Sequence, residues 1–290
     1  MNRLFVRHLT NLDFTYLHAD RGLVGETWIV DLELAGELDH QGMVFDFGLI
    51  KRHIRDAVES TLDHRLVIPE DLPGLEWTTR DHYISVSAAP EGKLLARLTV
   101  PEAAAVMVPG ESVDPDAISD WIASQITHVL PDNAREIRLR LYPEFIQGAS
   151  YHYTHGLKKH RGPCQRIAHG HRSRIEIEVN GQRSQHLEYQ WARRWRDIYL
   201  VSREDIHAET EINGVRCLDI RYDAQEGAYR LLLPAQRAYI LDSDTTVEHI
   251  ADHIANALAG QHPDSHIRVR AFEGINKGAI AERGSARITP

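Results

Sequence analysis

From Ser173 the chain alternates, with Ile175, Ile177 and Val179 on one side and Arg174, Glu176 and Glu178 on the other. A period of two predicts a strand with one buried face. Carried backwards, it puts His169 and His171 on the face of Ile175, with Gly170 between them. Tyr151, Tyr153 and His155 alternate in the same way, and an antiparallel pairing of the two strands sets a third imidazole opposite the first two. Trp28, Val30, Leu32 and Leu34 mark another such strand, closed by Gly36 as the first is closed by Gly181. Helical spacing appears at Ile50, Ile54 and Val58, in a helix ending at Leu62-Asp63-His64. It returns at Ile118, Ile122 and Ile126, behind an Asp114 cap and Pro115, and at Val247, Ile250, Ile254 and Leu258, behind Thr245 and Thr246. Further strands are predicted near Tyr83–Val86, Leu94–Val100 and Val215–Tyr222, with a loop at Pro69, Pro73 and Gly74.

Two stretches repeat. Ile137-Arg138-Leu139-Arg140 is followed by Glu144 and Gly148-Ala149, and Ile267-Arg268-Val269-Arg270 by Glu273 and Gly278-Ala279. The chain is therefore read as two copies of one α+β unit, residues 1–148 and 149–290. The copies differ in their chemistry. Where the second has His169-Gly170-His171, the first is expected to present Gly25-Glu26-Thr27, with His18 in the place of His155. Where the first has Asp63-His64, the second carries an aromatic and basic segment, Tyr189 to Tyr199, with Trp191 and Trp195. That segment is either a ligand surface or a pair of tryptophans packing against the other copy.

The length of 290 residues suits two ordinary domains, and 42% hydrophobic content supplies a core. A formal charge of -9 argues against a general nucleic-acid binder. Locally the balance reverses: Lys158, Lys159, Arg161, Arg166, Arg172 and Arg174 lie between Tyr151 and Arg174 without an Asp or Glu. This basic stretch is either a socket for a small polyanion or a solvated loop. Two cysteines, Cys164 and Cys217, do not make a disulfide framework and fit a reducing cytoplasm. No basic-then-apolar leader and no apolar run of membrane-spanning length is seen, so a soluble cytoplasmic protein, with no membrane partner, is expected.

His155, His169 and His171, with an open fourth position, form the ligand set of a catalytic zinc site. Cys164 precedes the His pair by five residues on a predicted loop. It either joins the ligands or serves as a base or nucleophile beside them.

Taken together, Tyr151-x-Tyr153-x-His155, Cys164 and His169-Gly170-His171 resemble the 6-pyruvoyltetrahydropterin synthase family. The resemblance extends to Gly42-Met43-Val44-Phe45-Asp46-Phe47, Leu62-Asp63-His64 and Glu273. Bacterial relatives in that family include 6-carboxytetrahydropterin synthase of the queuosine pathway. The resemblance implies the tunnelling fold, in which antiparallel sheets from several units close a barrel, with helices on the outer face and active sites between units. It also implies zinc on His155, His169 and His171, a catalytic base at Cys164, an Asp63–His64 proton relay and a pterin anchor at Glu273. Thr245 or Thr246 is a candidate to assist the anchor, with helix capping the more economical role for one of them, and Lys158, Lys159 and Arg161 are the candidates for holding the triphosphate of dihydroneopterin triphosphate, which is expected to be eliminated. Glu144 is read as an ordinary strand-end carboxylate. Metal and relay fall in opposite copies, so two copies, of one chain or of two, must meet. A homo-oligomer of at least two tandem chains is expected, since two units do not close a barrel. The alternative is a non-catalytic pterin- or nucleotide-binding protein of the same fold.

Overall fold

The computed structural model describes residues 1–38, 40 and 42–284. In the first half the order is β1 (Asn2–His18), β2 (Gly22–Gly36), α1 (Phe47–Leu62), β3 (Leu66–Pro69), β4 (Leu75–Arg80), β5 (Tyr83–Ala88), β6 (Ala96–Pro101), β7 (Ala105–Val108), α2 (Pro115–Gln125) and β8 (Ala134–Pro143). The second half follows the same plan: β9 (Ser150–His155), β10 (His169–Val179), a two-residue β11 (Gln182–Arg183), α3 (Gln185–Arg194), β12 (Ile198–Ser202), β13 (Ile206–Ile212), β14 (Val215–Ala224), β15 (Gly227–Pro234), β16 (Ala238–Leu241), α4 (Val247–Gln261), β17 (Ile267–Phe272) and β18 (Gly278–Arg283).

Each repeat builds one sheet, β7-β3-β1-β2-β8 in the first and β16-β12-β9-β10-β17-β18 in the second. The hairpins and closing strands pair antiparallel, whereas β3 and β7, like β12 and β16, join in parallel. These sheets are thus mixed at one edge: parallel neighbours cannot be joined by a tight hairpin, and here a helix or a meander makes each long connection. The predicted caps are in place: Asp114 Oδ1 accepts from the amides of Asp116 and Ala117 at 3.0 Å, and Thr246 Oγ1 accepts from the His249 amide at 3.4 Å.

Between β3 and β7, and between β12 and β16, each repeat inserts a three-stranded meander. The two meanders join through β6 and β15, with Leu98 opposite Leu231, into one six-stranded sheet shared by the repeats. Three cores result. One lies between α1, α2 and the first sheet, around Phe14, Trp28, Ile54 and Ile122. Another lies between α3, α4 and the second sheet, around Tyr151, Ile175, Trp195 and Ile254. The third lies under the shared meander sheet and draws Leu17 and Leu23 from one repeat and Ile167 and Tyr199 from the other. Trp191 and Trp195 pack inside their own repeat's core, against each other and near Tyr151 and Tyr239. They form neither a ligand surface nor a contact with the first copy, because α3 turns its apolar stripe onto the sheet it follows.

The repeats meet where the hairpins cross. Thr15 faces Gly25 across β1 and β2, and Thr154 faces Gly170 across β9 and β10. The hydroxyls of Thr15 and Thr154 hydrogen-bond to each other at 3.0 Å. A Cβ on Gly25 would stand 1.9 Å from Tyr153 O and 2.7 Å from His171 N, and one on Gly170 would stand 2.6 Å from Gly25 Cα. Both glycines are therefore required by contact of main chain with main chain.

This crossing sets the correspondence between repeats. Tyr16, Val24 and Glu26 occupy the strand positions of His155, His169 and His171, one residue earlier than the expected Gly25-Glu26-Thr27. His18 lies beyond the equivalent position, at the end of β1, where its Nδ1 accepts from the Asp20 amide at 3.1 Å. Counted from Ile137 and Ile267, which pair with Leu34 and Val179, Pro143 rather than Glu144 stands in the place of Glu273. On this first-repeat flank Arg21 makes a two-pronged ion pair with Asp197 (2.9 and 2.5 Å) and donates to the Tyr16 hydroxyl at 3.1 Å. Asp197, at φ +54°, matches His64, at φ +55°, each in the turn after its repeat's first helix. Nearby, burial raises the Glu26 carboxyl to about 7 and lowers His152 to about 4.

Two outcomes follow from this interface. Gly25→Ala should cost about 3 kcal/mol or more of stability, since the main chain it meets has nowhere to move; denaturant unfolding measures this. Glu26 has a raised folded-state pKa, so it destabilises the fold increasingly as pH climbs from its unfolded value towards 7. Glu26→Gln should accordingly raise the melting temperature at pH 8 and leave it nearly unchanged at pH 5.

Candidate metal centre and active site

On the opposite flank of the crossing, β9 and β10 place His169 opposite His155 and His171 opposite Tyr153. The three histidines are buried, and one ring nitrogen of each lies within 4.8 Å of the others. Two of the rings are held by their own repeat. His155 Nδ1 donates to Thr245 O at 3.0 Å, and His169 Nδ1 donates to Arg166 O at 3.0 Å. The Nε2 atoms of all three are buried and have no hydrogen-bond partner. A buried acceptor left without a partner is costly, and three of them facing one point fit a metal ion. Burial, reinforced by neighbouring imidazoles, drives the pKa of His155 and His169 well below the ordinary histidine value, which keeps both neutral as ligation requires.

The first repeat supplies the other wall. His64 follows α1, and its amide donates to Asp13 O at 2.7 Å. Its Nδ1 meets Asp63 Oδ2 at 2.7 Å, while Asp63 Oδ1 accepts from the Asp13 amide at 2.9 Å. His64 thereby lies against His169, with ring centroids 5.2 Å apart, and one of its ring nitrogens, Cys164 Sγ and a His169 nitrogen lie within 4.8 Å of one another. Burial opposes charge on His64, but Asp63 and Cys164 outweigh it and raise its pKa to about 10. The metal-type cluster and the Asp-His pair, expected on opposite copies, thus converge within one chain.

Cys164 sits on a short loop fixed from several sides. Its carbonyl accepts from the Leu157 amide at 2.9 Å, and Arg166 grips Glu226 at 2.9 and 3.0 Å. The hydroxyls of Tyr199 and Tyr222, the latter from the meander sheet, donate to Ile167 O and Gln165 O at 2.9 and 2.8 Å. Glu273, after β17, holds Oε1 3.9 Å from His171 Nε2, with Lys277 Nζ 3.9 Å from its other oxygen.

The remaining sequence-derived candidates divide. Thr245 is buried and orients His155, and Thr246 caps α4, so both have structural duties beside the site. Lys158 is paired with Asp205 and Glu204 at 2.5 and 2.8 Å, and Lys159 with Asp244 and Glu204 at 3.0 and 3.3 Å. The basic stretch is therefore largely neutralised by acids that lie far away in sequence and fold over it. Arg161 is exposed on the same loop. Sequence reasoning missed Asp13, whose Oδ1 lies 3.2 Å from His171 Nδ1. Its only local signal is an acid set between Leu12 and Phe14 in the buried half of β1.

A sequence model described as 6-pyruvoyl tetrahydropterin synthase matches the chain twice, over residues 7–152 and 144–284. Similar relatives include two proteins named "Putative 6-carboxy-5,6,7,8-tetrahydropterin synthase". That of Pyrococcus abyssi is 29% identical over 134 residues, covering 46% of this chain and 76% of the relative. That of Pyrococcus horikoshii is 26% identical over 133 residues, with the same coverage. Among solved structures, 6-pyruvoyltetrahydropterin synthase of Plasmodium vivax matches with a TM-score of 0.39 at 19% identity, over 48% of this chain and 90% of that one. The Plasmodium falciparum enzyme matches with a TM-score of 0.39 at 18% identity over the same shares. With both halves of its length matched by that sequence model, the chain belongs to the 6-pyruvoyl tetrahydropterin synthase family, as a tandem duplication of its α+β unit.

Proposed function

We propose that the chain is a zinc-dependent pterin synthase acting on dihydroneopterin triphosphate with loss of triphosphate, of the 6-carboxytetrahydropterin or 6-pyruvoyltetrahydropterin type. Residues 1–148 and 149–290 are its two units. The observation that carries this reading is the meeting of three buried, unpartnered Nε2 atoms with Cys164 and the Asp63–His64 pair of the other repeat.

Zinc on His155, His169 and His171 supplies Lewis-acid stabilisation of negative charge developing on the substrate's side-chain oxygens. The chain's own groups do the rest. Cys164, on a loop rigid enough to hold its sulfur in place, takes the carbon-bound proton. His64 carries a proton on the far side, and Asp63 holds its ring and favours its charged form. Glu273 accepts from the pterin amino group and ring N–H, a pairing whose geometry a carboxylate matches. Of the three cations assigned to the triphosphate, Lys158 and Lys159 are committed to carboxylates, which leaves Arg161. No helix among the described residues is long and apolar enough to cross a membrane, and both cysteines are free, in keeping with a reducing compartment. Two tandem units leave open sheets, and we read the working form as an assembly of several chains.

Cys164→Ala should keep its zinc while triphosphate release from dihydroneopterin triphosphate falls by about a hundredfold or more. Product analysis of the parent chain with the same substrate separates the 6-carboxy from the 6-pyruvoyl outcome. Zinc bound without any turnover would instead leave a pterin-binding protein. Metal analysis should find one zinc per chain, lost in His169→Ala, because Arg21 and Asp197 form an ion pair on the equivalent flank; two per chain would contradict this assignment.

A further inference from the structure

His155 and His169 are each oriented by a main-chain carbonyl of their own repeat, but His171 is not. Its Nδ1 has no main-chain partner, and the group beside it, at 3.2 Å, is carboxylate Oδ1 of Asp13 from the first repeat. Asp13 is 5% exposed, and its carboxylate is held from two further sides. Thr27 Oγ1 donates to Oδ1 at 2.6 Å, and Lys277 Nζ stands 3.3 Å from Oδ2. The main chain of Asp13 has a separate task, since its amide and carbonyl hold Asp63 and His64. A change of side chain therefore leaves the hydrogen bonds of the relay untouched. An ordinary structural ion pair with Lys277 does not account for the arrangement, because the Lys277 side chain is 54% exposed and Oδ1 points away from it, to the imidazole.

We propose that Asp13 is a positioning residue: across the repeat boundary it fixes the tautomer and orientation of His171, so that Nε2 is presented to the metal. A carboxylate at the far nitrogen of a ligating imidazole selects the Nδ1–H form and strengthens the other nitrogen as a donor. The first repeat thereby takes part in metal affinity as well as in proton transfer. The inference rests on the metal-centre reading above.

The test is chelator competition for zinc on the full chain, together with ¹⁵N NMR of the zinc-free imidazoles. Asp13→Asn, nearly isosteric, should weaken zinc binding by about tenfold, and Asp13→Ala by up to about a hundredfold. The His171 ring nitrogens of Asp13→Asn should shift from a single Nδ1–H tautomer towards a mixture, a change that a general loss of stability would not produce. If the alanine variant fails to fold, the asparagine variant decides alone. Zinc affinity within about twofold of the parent, or an unchanged His171 tautomer, overturns the proposal while sparing the metal site. A parent chain with no zinc affinity overturns both.

Discussion

The position of every group in the candidate site follows from one contact, the crossing of two hairpins so close that neither Gly25 nor Gly170 has room for a Cβ. Atoms at van der Waals distance on both sides leave the repeats little freedom to slide or tilt, since either movement drives main chain into main chain. His169 and His171 flank Gly170 in sequence, and Asp13, whose carbonyl holds the His64 amide, is two residues from Thr15 at the crossing. The distance from the Asp63–His64 pair to the imidazoles is thus transmitted through a few rigid bonds from the point of closest approach. The shared meander sheet steadies the other end, where Tyr222 and Glu226 hold the Cys164 loop.

The two flanks of the crossing show opposite solutions to the burial of polar groups. On the second-repeat flank, burial strips charge from His155 and His169, and their donors are spent on carbonyls, which leaves lone pairs aimed inward with nothing to accept. On the first-repeat flank, Arg21 closes onto Asp197 and Tyr16, so both charges find their partners inside the chain. A buried ion pair of this kind adds little net stability over apolar packing, but removing either member is expensive. It fixes the interface without a ligand. The imidazole flank leaves its inward nitrogens without a partner from the chain.

Much of this was legible in the sequence, where a local period decides the outcome. Alternation through His169, Gly170, His171 and Ile175 gave the face of the imidazoles, and helical spacing behind Asp114 and Thr246 gave the caps. What escaped depended on contacts between distant segments. The first repeat's equivalent of the His pair was displaced by one residue, which turns every side chain to the other face of a strand, because the register is set by the Thr15–Gly25 crossing and by no local pattern. Lys158 and Lys159 looked like free cations because their partners, Glu204, Asp205 and Asp244, lie well downstream. Trp191 and Trp195 suggest a ligand surface or a contact with the other copy because the Arg residues around them hide a buried stripe of one helical face. The fusion of the two meanders into one sheet had no signal in either alone.

Tandem duplication also changes what divergence is permitted. In a symmetric dimer of identical units, one surface patch serves both flanks, and any substitution is felt twice. Val24 in place of an imidazole would then remove that imidazole from both flanks, and His152 in place of Asp13 would remove the carboxylate from both. Once the units share a chain, their meeting is intramolecular and no longer depends on protein concentration, and the flanks become separate targets for mutation. One can be closed by an internal ion pair that holds the interface, while the other keeps unpartnered, poorly satisfied groups that a self-contained fold would eliminate. The unpartnered imidazoles are tolerable because Arg21 and Asp197 secure the same interface on the far side of Gly25.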